Sequence, residues 1–193
     1  MKKTEIFSYG LFLLVSISVS DSKMPKGWIK AGDSPNKYDM YVDAGNAQDG
    51  KKCATIKSNV GNIDGFGTLM QDCKPDKFLG KRIRMTGWIK SKDVKGWAGL
   101  WLRVDQKNST EPLSFDNMED RAVKGTTDWI KYEIVLDVPT NASNIAFGAL
   151  EAGTGQIWFD NLSFEVVSDL VKTTGVGSTG YINDEPTNLN FEE

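Results

Sequence analysis

One predicted strand carries the clearest binding chemistry in this sequence. Alternate positions of the segment 97–105 hold two tryptophans, an arginine and an aspartate: Trp97, Trp101, Arg103 and Asp105. Alternate residues of a strand point to the same face. Indole rings stack on the apolar face of a sugar ring, while guanidinium and carboxylate groups exchange hydrogen bonds with hydroxyls. This face predicts binding of a carbohydrate or another polyhydroxylated ligand, and we expect Gln71 and Glu133 to join it from neighbouring strands.

The same aromatic face admits two other interpretations. If another part of the chain covers it, Trp97 and Trp101 are core residues, because sandwich folds bury aromatic side chains routinely. If it stays exposed, it can bind a protein partner and serve a structural or sensor module instead of a sugar-binding one. The exposure of the two indoles distinguishes these cases.

Three carboxylates within one short segment raise the alternative of an enzyme. Asp116, Glu119 and Asp120 could act as the acid and base pair of a glycan- or ester-acting hydrolase. Acidic residues this close in sequence are also typical of a turn, with backbone amides as partners and Arg121 as the counter-charge. We expect the turn, and therefore a protein that is not an enzyme.

The 193 residues include no histidine. This excludes Ser-His-Asp and Cys-His relays and histidine-ligated zinc. It also predicts that ligand binding is nearly flat between about pH 6 and 8. The net charge of −3 and the pI near 5.2 disfavour a nucleic-acid surface, which normally shows clustered basic residues.

Residues 1–20 have the pattern of a secretory signal, with Lys2 and Lys3 before a short apolar stretch and Ser18-Val-Ser before Asp21. The apolar part is too short to span a membrane. We expect a secreted or cell-envelope protein, monomeric and without a membrane span once the signal is cleaved. The alternative is an uncleaved anchor, because Glu5 interrupts the basic end.

The rest of the sequence predicts an all-β fold, an antiparallel β-sandwich of the jelly-roll type, over residues 21–167. Alternating aromatic and β-branched residues mark eight strands separated by turn sequences, and no long window has helical periodicity. Residues 168–193 have the composition of a flexible tail. The eight predicted strands are 52–57, 67–73, 82–90, 98–105, 113–117, 129–138, 144–150 and 156–167.

Alternation also predicts which residues face the core. In the strand 98–105 the inward set is Ala98, Leu100, Leu102 and Val104. In the strand 129–138 the inward set is Ile130, Tyr132, Ile134, Leu136 and Val138.

Two cysteines, Cys53 and Cys73, lie in predicted strands that are consecutive in the chain. A hairpin centred near Ile63 would place them opposite each other. Together with export, this predicts a disulfide, which would stabilise the fold by roughly 3 kcal/mol. The alternative is a pair of buried free thiols.

Several longer strings resemble a known family. They are 65–71, 80–84, 97–105, 115–121, 125–129 and 155–161. Over residues 26–167 the chain is similar to the galactose-binding-like jelly rolls, close to CenC-type carbohydrate-binding modules, and within these to a poorly characterised bacterial group. The resemblance implies a calcium ligand at Asp160, before the end of the last strand. The N-terminal glutamate that usually accompanies it is missing from 28–33, so Asp160 could instead accept a hydrogen bond from a loop amide.

Overall fold

The computed structural model describes residues 23–175, which form an all-β domain. The predicted signal, 1–20, and the last part of the predicted tail, 176–193, lie outside the described residues. No helix in 23–175 has the length and hydropathy needed to cross a bilayer. The described strands are β1 Ile29–Ala31, β2 Tyr38–Asp43, β3 Cys53–Ser58, β4 Phe66–Cys73, β5 Lys81–Asp105, β6 Ser114–Asp116, β7 Val123–Val138, β8 Asn144–Ala152 and β9 Gln156–Val167.

The long strand β5 takes part in both layers of an antiparallel sandwich. In the first sheet, the second half of β5 pairs with β6 on one side and with β8 on the other; β8 pairs in turn with β4, and β4 with β1. In the second sheet, the first half of β5 pairs with β7 on one side and with β9 on the other; β9 pairs in turn with β3, and β3 with β2. The antiparallel sandwich predicted from the sequence is therefore confirmed.

The sequence predicted a turn near Val94 between two strands, and this is wrong. The backbone stays extended from Lys81 to Asp105 and changes sheet near Asp93, which has a left-handed φ of 54°. Register shifts against β7 occur at Ile89, Ser91 and Val94. Such irregularities bend a strand without ending it, which explains why turn-forming residues occur inside β5.

The core lies between the sheets and follows the predicted alternation in most places. Ala98, Leu100, Leu102 and Val104 are fully buried, as are Ile134 and Leu136. Ile130 was also predicted to be in the core, but it is 43% exposed. It lies next to the first register shift between β5 and β7, where β7 begins to diverge from the regular sheet.

The first described residues add two strands that the sequence did not reveal. β1 extends the first sheet beside β4, and β2 extends the second sheet beside β3. Trp28 packs edge-on against Phe147 and Phe159, with ring centroids 5.9 and 5.6 Å apart. The N-terminal segment thus closes one side of the core.

The predicted disulfide is not formed: Cys53 and Cys73 are free thiols. The reason is topological, since β3 and β4 do not form a hairpin. β3 pairs with β2 and β9 in the second sheet, whereas β4 pairs with β1 and β8 in the first. The chain crosses between sheets after residue 58, so the hairpin assumed from the spacing is absent.

After β9 the chain runs along the outer edge of β7. The backbone N–H of Thr174 donates to the carbonyl oxygen of Val135 at 3.0 Å, and the N–H of Val135 donates to Oγ1 of Thr174 at 2.9 Å. This contact covers Val135, which is fully buried although it points away from the core.

Candidate functional site

A groove of about 530 Å³ crosses the outer face of the first sheet. Trp97, Trp101 and Arg103 of β5 line it together, as the alternation of this strand predicts. We call it the aromatic groove. Its other lining residues come from β1, β4, β6, β8 and the loops beside them, and include Phe66, Thr68, Met70, Phe115, Asn117 and Leu150.

The floor of the aromatic groove is held rigidly by hydrogen bonds. The indole Nε1 of Trp101 donates to Oγ1 of Thr68 at 2.7 Å, and that hydroxyl donates to the carbonyl oxygen of Ala149 at 2.8 Å. Trp101 is 8% exposed. Because its polar atom is satisfied within the protein, the indole presents apolar surface to the groove.

Arg103 supplies the positive charge at one side of the aromatic groove. Its Nε donates to Oδ1 of Asp105 at 2.6 Å, and its Nη2 donates to the carbonyl oxygen of Thr110 at 2.8 Å. These two contacts orient the guanidinium. Asp105 thus acts as the partner of Arg103 and is not among the residues that line the groove.

Gln71 and Glu133, predicted to join this face, do not reach it. Gln71 alternates with Met70, which lines the groove, and its cross-strand partner is the core residue Phe147. Gln71 therefore lies on the other side of β4. Glu133 belongs to the second sheet, where its carboxylate is 3.1 Å from Nε of Arg84.

Most residues of the groove wall are not evident from the sequence. Met70 and Phe115 belong to predicted strands, whereas Phe66 lies just before the predicted strand 67–73 and is the first residue of β4; alternation places Phe66 and Met70 on one side of β4. What the sequence lacked was the strand order. The pairing of β8 with both β4 and β5, and of β6 with β5, brings these side chains within one groove.

The acidic segment after β6 forms a turn, as expected. Asp116 is buried and accepts hydrogen bonds from the N–H of Met118, from Nη2 of Arg121, each at 2.7 Å, and from Oγ1 of Thr174 at 2.5 Å. Glu119 and Asp120 are exposed, and Asp120 also contacts Arg121. The buried carboxylate is thus committed to anchoring the turn and the chain segment after β9.

Asp160 accepts backbone hydrogen bonds on both oxygens. Its Oδ2 accepts from the N–H of Gln48 at 3.1 Å, and its Oδ1 accepts from the N–H of Asn161 at 2.8 Å. Among residues 23–175, no group of three or more Asp, Glu, Cys or His side chains is placed to hold a metal ion. Calcium also accepts backbone and amide oxygens as ligands, so the calcium ion implied by the resemblance stays a prediction.

Comparison with known proteins identifies one curated relative and many structural neighbours. No protein-family profile matches the chain. The "Uncharacterized HTH-type transcriptional regulator YbfP" of Bacillus subtilis (strain 168) is 44% identical over 177 residues. The match covers 91% of this chain, and the chain spans 59% of the length of that relative.

Two solved structures illustrate the fold. The CBM22-1 xylan-binding domain of a Paenibacillus barcinonensis protein has a TM-score of 0.53 at 15% identity, over 75% of this chain and 88% of that one. A Stig cyclase from Fischerella sp. TAU has a TM-score of 0.53 at 14% identity, over 79% and 92% of the two chains. At such identities the likeness establishes the jelly-roll fold and not a shared activity.

Proposed function

We propose that this domain binds carbohydrate, or a similar ring-shaped hydroxylated ligand, in the aromatic groove without catalysing its breakdown. The observation that carries the proposal is the meeting of Trp97, Trp101 and Arg103 in one groove of about 530 Å³. This volume lies within the range of small-molecule sites, which combine apolar walls with a few placed polar groups. The jelly-roll neighbours that bind xylan make this ligand class the first to test.

The aromatic and the polar residues of the aromatic groove contribute differently to the proposed binding. Trp97, Phe66 and Phe115 provide aromatic surface for stacking on the apolar faces of sugar rings. Arg103, already balanced by Asp105, and the amide of Asn117 lie beside this surface and can exchange hydrogen bonds with ring hydroxyls. Affinity then comes mainly from stacking, and orientation comes from the polar groups.

Binding to xylan, cellulose and a glycan array tests the proposal, with Trp97→Ala as the decisive variant. Trp97 is only half-buried, whereas Trp101 is hydrogen-bonded in the floor and its removal would disturb the sheet. Loss of one stacking indole is expected to weaken binding about tenfold. The matched control is Trp129→Ala, which removes an indole from the second sheet.

The absence of binding to every glycan by the folded wild-type protein would overturn the proposal. Equal weakening by the Trp97 and Trp129 variants would also overturn it, since the effect would then not depend on the groove. Turnover of a chromogenic glycoside, abolished by Asp116→Asn, would establish the hydrolase alternative instead.

The curated relative favours a second candidate, a ligand-sensing domain. YbfP is named a transcriptional regulator, so a domain with this fold could report a bound ligand to another protein or domain. In this protein Phe115 and Asn117 line the groove and flank Asp116, which holds Thr174 of the segment after β9. A ligand that moves Phe115 would therefore disturb that segment.

Hydrogen exchange with and without ligand separates the two roles. For a sensor, protection of the amides of Val135 and Thr174 should change when ligand binds, because their mutual hydrogen bonds join the segment after β9 to β7. For a simple binding module, the changes should be confined to strands that line the groove.

We further propose export to the cell envelope and a monomeric state, on the strength of the signal-like residues 1–20. The mass of the protein recovered from its native cells tests export, since cleavage before Asp21 would remove 20 residues. Sedimentation of the mature chain tests the monomer.

A further inference from the structure

A second groove, of about 720 Å³, opens on the outer face of the second sheet. Trp158 of β9 and Lys90 of β5 line it and are partners across the two strands. Their neighbours Ile157 and Ile89 point into the core, so alternation directs Trp158 and Lys90 outward. We call this site the polar groove. It lies on the opposite side of the sandwich from the aromatic groove.

The indole of Trp158 is fixed in place at the polar groove. Its Nε1 donates to Oδ2 of Asp43 at 2.7 Å. The same carboxylate accepts from the N–H of Gly45 at 2.7 Å and from Nδ2 of Asn46 at 2.9 Å. Burial acts to raise the pKa of Asp43, but these three donors outweigh it and hold the pKa below its usual range. The edge of the indole is thus anchored, and Trp158, which lines the groove, is 7% exposed.

The polar groove carries both signs of charge in equal number. Its lining includes two lysines and two aspartates, Lys90, Lys92, Asp93 and Asp128, and Nζ of Lys90 is 3.4 Å from Oδ1 of Asp128. A charged ligand of either sign would meet repulsion as well as attraction here. A neutral hydroxyl does not, because it accepts a hydrogen bond from an ammonium group and donates one to a carboxylate.

Two amide side chains also line the polar groove. Gln156 donates from Nε2 to Oγ1 of Thr55 at 3.0 Å, and Asn46 donates from Nδ2 to Asp43. Both residues line the groove, and these bonds leave the amide oxygens as acceptors. The groove therefore offers amide acceptors, an anchored aromatic surface and a cationic donor, which together match a ring with several hydroxyls.

We propose that the polar groove is a second binding site of this domain, selective for neutral, hydroxyl-rich rings such as pyranosides. Trp158 provides the surface against which the ring packs, Lys90 donates to its hydroxyls, and Gln156 and Asp128 accept from them. With a ligand on each outer face, one domain can bridge two saccharide chains or two stretches of one chain.

The test is a two-dimensional amide NMR titration with soluble neutral hexasaccharides, xylohexaose and cellohexaose, and with an acidic comparator, hexagalacturonate. We expect at least one neutral sugar to shift the amide resonances of Trp158, Lys90 and Gln156. The shifts should persist in the Trp97→Ala protein, because that variant alters only the aromatic groove. Lys90→Ala and Gln156→Ala should each weaken this binding at least about fivefold. Lys95→Ala, which removes an exposed lysine of the same strand, should leave it unchanged.

Each other outcome overturns the proposal. Shifts confined to the aromatic groove would show that the proposed function holds without a second site. A folded protein with no shift at the polar groove for any sugar would exclude this site, whatever happens at the other. A stronger response to hexagalacturonate than to the neutral sugars would show that charge, and not hydroxyl recognition, governs the groove.

Discussion

Glu151 is a carboxylic acid placed in the apolar interior between the two sheets. It is fully buried, and its cross-strand partners are Gly67 and Ala98. Within the described residues neither carboxylate oxygen has a hydrogen-bond partner. Burial raises the pKa of Glu151 from 4.5 to about 8, because the charged form loses its hydration without gaining a partner. At neutral pH the acid is therefore mostly protonated in the folded protein.

This raised pKa predicts how the stability of the domain depends on pH. The folded protein binds the proton of Glu151 more tightly than the unfolded chain does. The buried acid therefore lowers the free energy of unfolding least below pH 4.5, where both states are protonated. As the pH rises from 4.5 to about 8, Glu151 loses its proton in the unfolded chain but keeps it in the folded protein, so the free energy of unfolding falls. The shift corresponds to a loss of about 5 kcal/mol. That is comparable to the whole stability of a small domain, so the effect should be large.

Glu151→Gln removes the titration while keeping the shape of the side chain. The amide has no partner in this pocket either, so we expect a constant offset of about 1–3 kcal/mol at every pH. The informative quantity is the slope. Urea unfolding followed by tryptophan fluorescence at pH 5, 7 and 9 should show the stability of the wild-type protein falling relative to the variant as the pH rises.

Glu119→Gln is the control, because Glu119 is exposed on the turn after β6. Its unfolding free energy should follow that of the wild type at each pH. Parallel pH profiles for wild type and Glu151→Gln would contradict this prediction, since they would mean that Glu151 is ionised, solvated or paired in the folded state.

Three further predictions concern individual contacts. Thr68→Val should lower the free energy of unfolding by about 2 kcal/mol in urea denaturation, because it leaves the buried indole N–H in the groove floor unpaired. Asp116→Asn should lower the free energy of unfolding by about 2–3 kcal/mol in the same assay, since Arg121 loses its buried counter-charge but keeps partial access to water. Titration with Ellman's reagent without reductant should find two thiols in the unfolded chain. In the folded protein Cys53 should react slowly, because burial raises its pKa to about 12, whereas Cys73 is less deeply buried.

Exposed residues serve as controls for the first two measurements. Thr110→Val and Asp120→Asn make the same chemical changes at exposed positions and should alter stability little. Losses as large in these controls would contradict the role given to the buried contacts. Thiols that appear only after reduction would restore the predicted disulfide.

The sequence predicted the fold class because alternation is a property of each strand by itself. The inward residues of 98–105 could be identified from their spacing, and so could the shared face of Trp97, Trp101 and Arg103. Where the pattern failed, the cause lay in contacts distant along the chain. Ile130 alternates correctly with Ile134, yet the register shift against β5 exposes it.

Long-range contacts also decided the rest of the candidate sites. Gln71 was assigned to the binding face without knowledge of its strand partner, and the partner Phe147 places it on the core side of β4. Nothing in the spacing of Lys90, Asp128 and Trp158 shows that three strands bring them into one polar groove. The prediction that ligand binding is nearly flat from about pH 6 to 8 rested on ordinary side-chain pKa values. The pKa of Glu151 departs from its ordinary value because folding buries the side chain, and this affects the stability of the domain.

The amino-acid sequence alone thus determined an all-β chain, the faces of its main strands and the lack of imidazole chemistry. These are local properties, set by residue type and by the two-residue period of extended backbone. The tertiary structure decided that Cys53 and Cys73 belong to different sheets, which aromatic residues share a groove, and that the carboxyl group of Glu151 has no partner. Those outcomes depend on which strands become neighbours, and residues far apart in the chain fix that order when the two sheets pack around one core.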